Sequence, residues 1–143
     1  MKIRSIFIKF MYLPWEMKLL HMEAFFYQLS TGFLLIIVPF RYIPNLFRFH
    51  PLPSALRPPP DKVYLEEIRY VTWSVSRFIP WRNKCLVKSL AAKKMLNRRG
   101  ISSQLSLGVQ KDEKLGTMAH AWLKAGDFEV VEKEGGYSEL YIF

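Results

Sequence analysis

Five of the nine prolines fall between positions 50 and 60, in the run His-Pro-Leu-Pro-Ser-Ala-Leu-Arg-Pro-Pro-Pro. Proline removes the backbone donor and pushes the residue before it out of helical geometry, so neither a helix nor a central strand can run through this stretch. The run divides the 143-residue chain into an apolar helical segment with its linker, 1–60, and a second part, 61–143, long enough for one domain.

The first part is rich in aromatic and aliphatic residues. Lys2, Arg4 and Lys9 interrupt its first apolar run, and no small-residue cleavage site follows, so it reads poorly as a secretory signal. Ala24 to Phe40 carries no charge, which is the lower limit of length for a spanning helix, but Gln28, Ser30, Thr31 and Gly32 stand in its middle. Two helices are expected, over 15–30 and 32–40, covering a core, a partner or a membrane surface. So much apolar surface has to be buried against something.

Beyond the prolines, Asp61 is placed to cap a helix over 62–78, with Val63, Ile68, Val71, Val75 and Phe78 near one face. Pro80 ends it. A second helix follows over 84–98, with no Pro or Gly before Gly100, which suits a left-handed stop. Its stripe of Cys85, Ser89, Ala92 and Leu96 is small enough for a sheet to approach closely. The remainder alternates in the manner of strands over 104–109, 118–124, 128–132 and 137–143. Two helices followed by an antiparallel meander make an α+β fold.

The only cysteine, Cys85, sits at the start of the second helix, where unpaired amides and the helix dipole favour an anion. Asn83 is the expected N-cap, and Arg82, Lys84 and Lys88 add positive charge. These are the conditions for a nucleophilic cysteine; the competing reading is a small, inert core residue. A nucleophile needs a base, and the base needs an orienting group. His120, held mid-strand between Ala119 and Ala121, is the candidate base. For the orienter, a two-residue turn at 125–126 brings Glu129 opposite Trp122, whereas a three-residue loop at 125–127 brings Glu132 opposite His120. Asp127 falls in the turn either way, and periodicity leaves the choice open.

One cysteine excludes an internal disulfide and fits a reducing, cytoplasmic setting. The three scattered histidines and single cysteine give no zinc spacing, and no glycine-rich phosphate loop is present, so no metal and no cofactor is expected. The net charge of +9 attracts acidic partners without choosing among them. The basic residues follow no nucleic-acid-binding motif, and no nucleic acid is expected.

Taken in order, Cys85-Leu86, Ser89-Leu90-Ala91, Leu96-Asn97-Arg98-Arg99-Gly100-Ile101, Leu107-Gly108-Val109 and Ala119-His120-Ala121-Trp122 resemble the transglutaminase-like cysteine proteases that process lasso peptide precursors. The likeness covers 63–143. It implies a papain/transglutaminase-like core, with the nucleophile helix packed on an antiparallel sheet. It implies Cys85 as nucleophile, His120 as general acid and base, and a carboxylate orienter whose family position falls on Glu132, where the family usually has Asp. The Cys85 amide would serve the oxyanion hole, with Asn83 or Trp81 as further candidates; Trp81 and Trp122 are candidate substrate contacts. The implied activity is removal of the leader from a ribosomally made precursor. The implied partners are a separate leader-recognition protein and a macrolactam-forming lasso cyclase. Residues 1–45 would supply any membrane-surface contact. A transglutaminase-like acyl-transfer enzyme or amidase, and a non-catalytic membrane-associated scaffold, are the alternatives.

Overall fold

A computed structural model describes residues 2–46, 61–82 and 84–142. The proline run and Asn83, the expected N-cap and oxyanion candidate, lie outside the described residues.

Helix α1 (Lys2–Met11) and the 23-residue α2 (Trp15–Ile37) come first, followed by a 3-10 turn at Phe40–Tyr42 and a short α3 (Ile43–Leu46). The break expected between 30 and 32 does not occur. Glycine in a helix interior costs only about 1 kcal/mol relative to alanine, and here the missing side chain is filled by a neighbour. A Cβ on Gly32 would lie 1.9 Å from the ring nitrogen of Trp81, so α2 runs on and seats that indole in the notch. Helix α1 is an element the sequence reading did not assign.

Helix α4 (Lys62–Ser76) begins at the expected cap: the Val63 amide donates to the Asp61 carboxylate at 3.0 Å. Helix α5 (Lys84–Arg98) has the expected bounds. Strands β1 (Gln104–Asp112), β2 (Gly116–Ala125), β3 (Phe128–Val131) and β4 (Ser138–Ile142) form one antiparallel sheet. Their order is β3-β2-β1-β4, not a simple meander. Instead of turning back on β3, the segment after it crosses to the free edge of β1, where Val109 pairs with Ser138. The architecture is the expected α+β arrangement, with the Cys85-bearing helix on an antiparallel sheet and apolar helices before it.

Helices α4 and α5 lie on the sheet, and α2 packs across both of them. Ile68, Val71, Leu90, Met95, Leu105 and Leu123 are buried between these layers, together with Leu20 and Ala24 from α2. Polar contacts fix α2 in place. Gln28, buried, donates to the Thr72 carbonyl at 2.8 Å, and Arg99 grips Glu23 through both guanidinium nitrogens at 2.8 and 2.6 Å.

These contacts also use up much of the basic face of α5. Arg98 joins the Glu23 pair, Lys94 stands over the Tyr27 ring, and Lys93 is buried with its ammonium donating to the Ser103 carbonyl at 2.7 Å. Burial pushes the Lys93 pKa down to about 8.

The core draws on both sides of the proline run. Burying one large apolar side chain contributes roughly 1.5–3 kcal/mol. Leu20, with Phe25, Leu34 and Leu35 packed against the core, adds several such contributions, against a typical domain stability of about 5–15 kcal/mol. Residues 61–143 expressed alone should aggregate, or show no cooperative thermal transition by circular dichroism.

Candidate functional site

Two hydrogen bonds set α5 against the strands. Ser89 Oγ donates to the Ala121 carbonyl at 3.3 Å, and Lys93 Nζ reaches Ser103, just before β1, whose first residue pairs with Lys124. Moving back along α5 thus means moving back along β2. Cys85, one turn before Ser89 on the same helix face, lies toward the His120 end of β2. It is half-buried, with a free thiol. Among the described residues no hydrogen bond joins Cys85 to His120.

His120 is placed by its surroundings. Gly108 stands directly opposite in β1. A Cβ on Gly108 would come within 2.8 Å of both the Trp122 ring and the Ser138 carbonyl, so only glycine lets that indole lie across the strand. The imidazole stacks along Trp122, with centroids 6.2 Å apart and planes 20° from parallel, and Tyr137 packs at 5.0 Å.

The crossing segment after β3 supplies the polar contacts. His120 Nε2 lies 2.9 Å from the Glu132 backbone carbonyl, while the Glu134 amide approaches the same nitrogen at 3.5 Å. A carbonyl accepts and cannot donate, so the short contact requires the proton on Nε2 and leaves Nδ1 with a free lone pair. In this tautomer the ring is a base at Nδ1, held by a backbone acceptor. Burial lowers the His120 pKa below its ordinary value; Lys88 lowers it further, and Glu134 opposes them.

A cavity of about 500 Å³ opens beside the ring, between α4 and the end of β3. Tyr70 and Trp73 give it an aromatic wall; Arg69, Lys88, Glu132 and Glu134 give it mixed charge. Lys88 and His120 both face this space, which connects the Cys85 helix to the histidine strand.

The candidate orienters take positions that neither loop length foresaw. The turn occupies Gly126 and Asp127, so Ala125 pairs with Phe128 and Lys124 with Glu129; a bulge then moves Leu123 opposite Val131. Glu129 is occupied with Lys124, 3.6 Å away. Glu132 does reach His120, but through its carbonyl: its carboxylate is paired with Arg69 on α4. Trp122 is buried as a platform under the imidazole, with Lys133 over its ring at 4.8 Å. Trp81 is seated on α2, beside Phe33. Neither tryptophan lines the cavity among the described residues. Lys88, Arg69 and Glu134 were not singled out as site residues from sequence. Only the place of Lys88, one turn after Cys85, marked it.

Glu132→Gln should therefore cost less than about tenfold in any His120-dependent activity. The carbonyl stays in place, and a part-exposed ion pair is worth only about 0–1 kcal/mol. Steady-state kinetics of the variant would show this; a loss of a thousandfold would mean that the carboxylate itself serves the ring.

Comparison with known proteins adds a family. Residues 32–141 match the model of the transglutaminase-like superfamily. No curated protein and no solved structure matches the sequence. The match spans more than half of the chain and takes in α4, α5 and the sheet that carries His120; the chain belongs to the transglutaminase-like superfamily.

Proposed function

We propose that this protein is a cysteine peptidase that removes the leader from a ribosomally made lasso peptide precursor. The observation that carries the reading is the bond between Ser89 and the Ala121 carbonyl, because it ties the face of α5 that bears Cys85 to the strand beside His120. In the first step Nδ1 of His120 takes the thiol proton and Sγ of Cys85 attacks the carbonyl carbon of the scissile peptide bond. The amides at the start of α5 favour the oxyanion that forms. The imidazolium then protonates the leaving amine, and the Cys85 thioester remains. Water, deprotonated by the same ring, releases the acid. Asn83 remains a candidate oxyanion donor, whereas the Trp81 indole is seated against Gly32, and the cavity between α4 and β3 would take residues flanking the scissile bond.

The precursor class rests on the ordered sequence pattern from Cys85 to Trp122. That pattern also supports a separate leader-recognition protein and a lasso cyclase as partners. The test is mass spectrometry of a precursor incubated with and without this protein and its leader-binding partner. A free leader with a C-terminal acid and a core with a free N-terminus are the expected products. A product carrying an added amine would replace peptidase by acyl transfer, and an unchanged precursor would overturn the reading.

A further inference from the structure

The large apolar side chains of α2 point the wrong way for a core helix. Its buried residues are Leu20, Ala24, Gln28, Thr31 and Gly32, mostly small or polar. Trp15, Leu19, Met22, Phe26, Phe33 and Ile36 are exposed. Their spacing of three, four and seven residues keeps them on one outward stripe, about 30 Å long at 1.5 Å per residue. By length and composition α2 could cross a membrane. Its inner face, however, is bonded to α4 and α5 through Gln28 and Glu23, so it belongs to the folded domain.

Helix α1 extends the surface. Lys18 donates to the Met11 carbonyl at 2.8 Å and Phe10 packs edge-on against His21, which hold α1 to α2. Phe7, Ile8 and Met11 are exposed as well. The charge around this surface is one-sided. Arg4, Lys9, Lys18 and Arg41 are basic; the only acids in 2–46 are Glu16 and Glu23, and Glu23 is taken by Arg98 and Arg99.

We infer that α1 and the outward stripe of α2 form a docking surface for an anionic membrane, with α2 parallel to the plane of the bilayer. Aromatic and aliphatic side chains enter the boundary between headgroups and acyl chains, while the flanking cations meet lipid phosphates. A second copy of the chain is the poorer occupant, because apposing two such stripes also apposes two sets of basic flanks.

The test uses the full chain in cosedimentation with vesicles of phosphatidylcholine alone, and of phosphatidylcholine mixed with phosphatidylglycerol. Partition into the anionic vesicles should exceed that into the neutral ones by at least about tenfold and fall as salt is raised. The double variant Leu19→Glu, Phe26→Glu should lose binding while keeping the wild-type circular dichroism, since both side chains are exposed. Its folding is checked separately, so a misfolded variant would be replaced by Arg4→Glu, Lys9→Glu, for which the same loss is expected. The inference is overturned if the wild type ignores anionic vesicles, if the folded variants bind as well as wild type, or if the wild type is a dimer that the stripe variant dissociates and that does not bind vesicles.

Discussion

Replacing Cys85 with alanine is expected to lower precursor cleavage by at least about 10⁴-fold, the scale seen when a covalent nucleophile is removed. The fold should survive. The side chain is half-buried at a helix start, and a small-for-small exchange there, with a good helix former, should change stability by no more than about 1 kcal/mol. Single-turnover kinetics with a saturating leader-binding partner, beside a thermal melt of the variant, separate loss of chemistry from loss of structure. Turnover near the wild-type rate would remove Cys85 from the mechanism, and with it the peptidase reading.

His120→Ala should cost a comparable factor, because without a base at Nδ1 the thiol keeps its proton. The pH dependence is more diagnostic. Burial and the nearby Lys88 hold the imidazole below its ordinary pKa of 6.5. The base form therefore persists to lower pH than for a free histidine, and the acid limb of kcat/KM should lie below 6.5. Removing the cation with Lys88→Met should move that limb up. Removing the opposing charge with Glu134→Gln should move it down. An acid limb that ignores both substitutions would mean that a group other than His120 titrates there.

The contrast between α5 and β3 shows what was legible in the sequence. Helix α5 was readable because strong helix formers end at a glycine, and those are local facts. The cap at Asp61 was readable for the same reason. The pairing of β3 was not. Its register depends on a two-residue turn and on a bulge beside Leu123, and a bulge leaves no trace in a pattern of alternation. Each displaced residue changes what faces His120, so counting along the strand could place Glu132 near the ring without revealing that its carbonyl makes the contact. The strand order was hidden too, because a glycine pair that allows a hairpin equally allows a crossing. The small and polar residues in the middle of α2 read as a break from sequence alone. In three dimensions Gln28, Thr31 and Gly32 lie on its buried face, and the core beside them extends across the proline run.

The seat of Trp81 on Gly32 has a mechanical consequence. Among the described residues the buried indole nitrogen has no partner, so the fit there is one of shape. A hydrogen bond has a preferred length and direction, whereas a ring lodged in a notch resists displacement from every side at once. Helix α2 is therefore held, through Trp81, to the chain four residues ahead of Cys85.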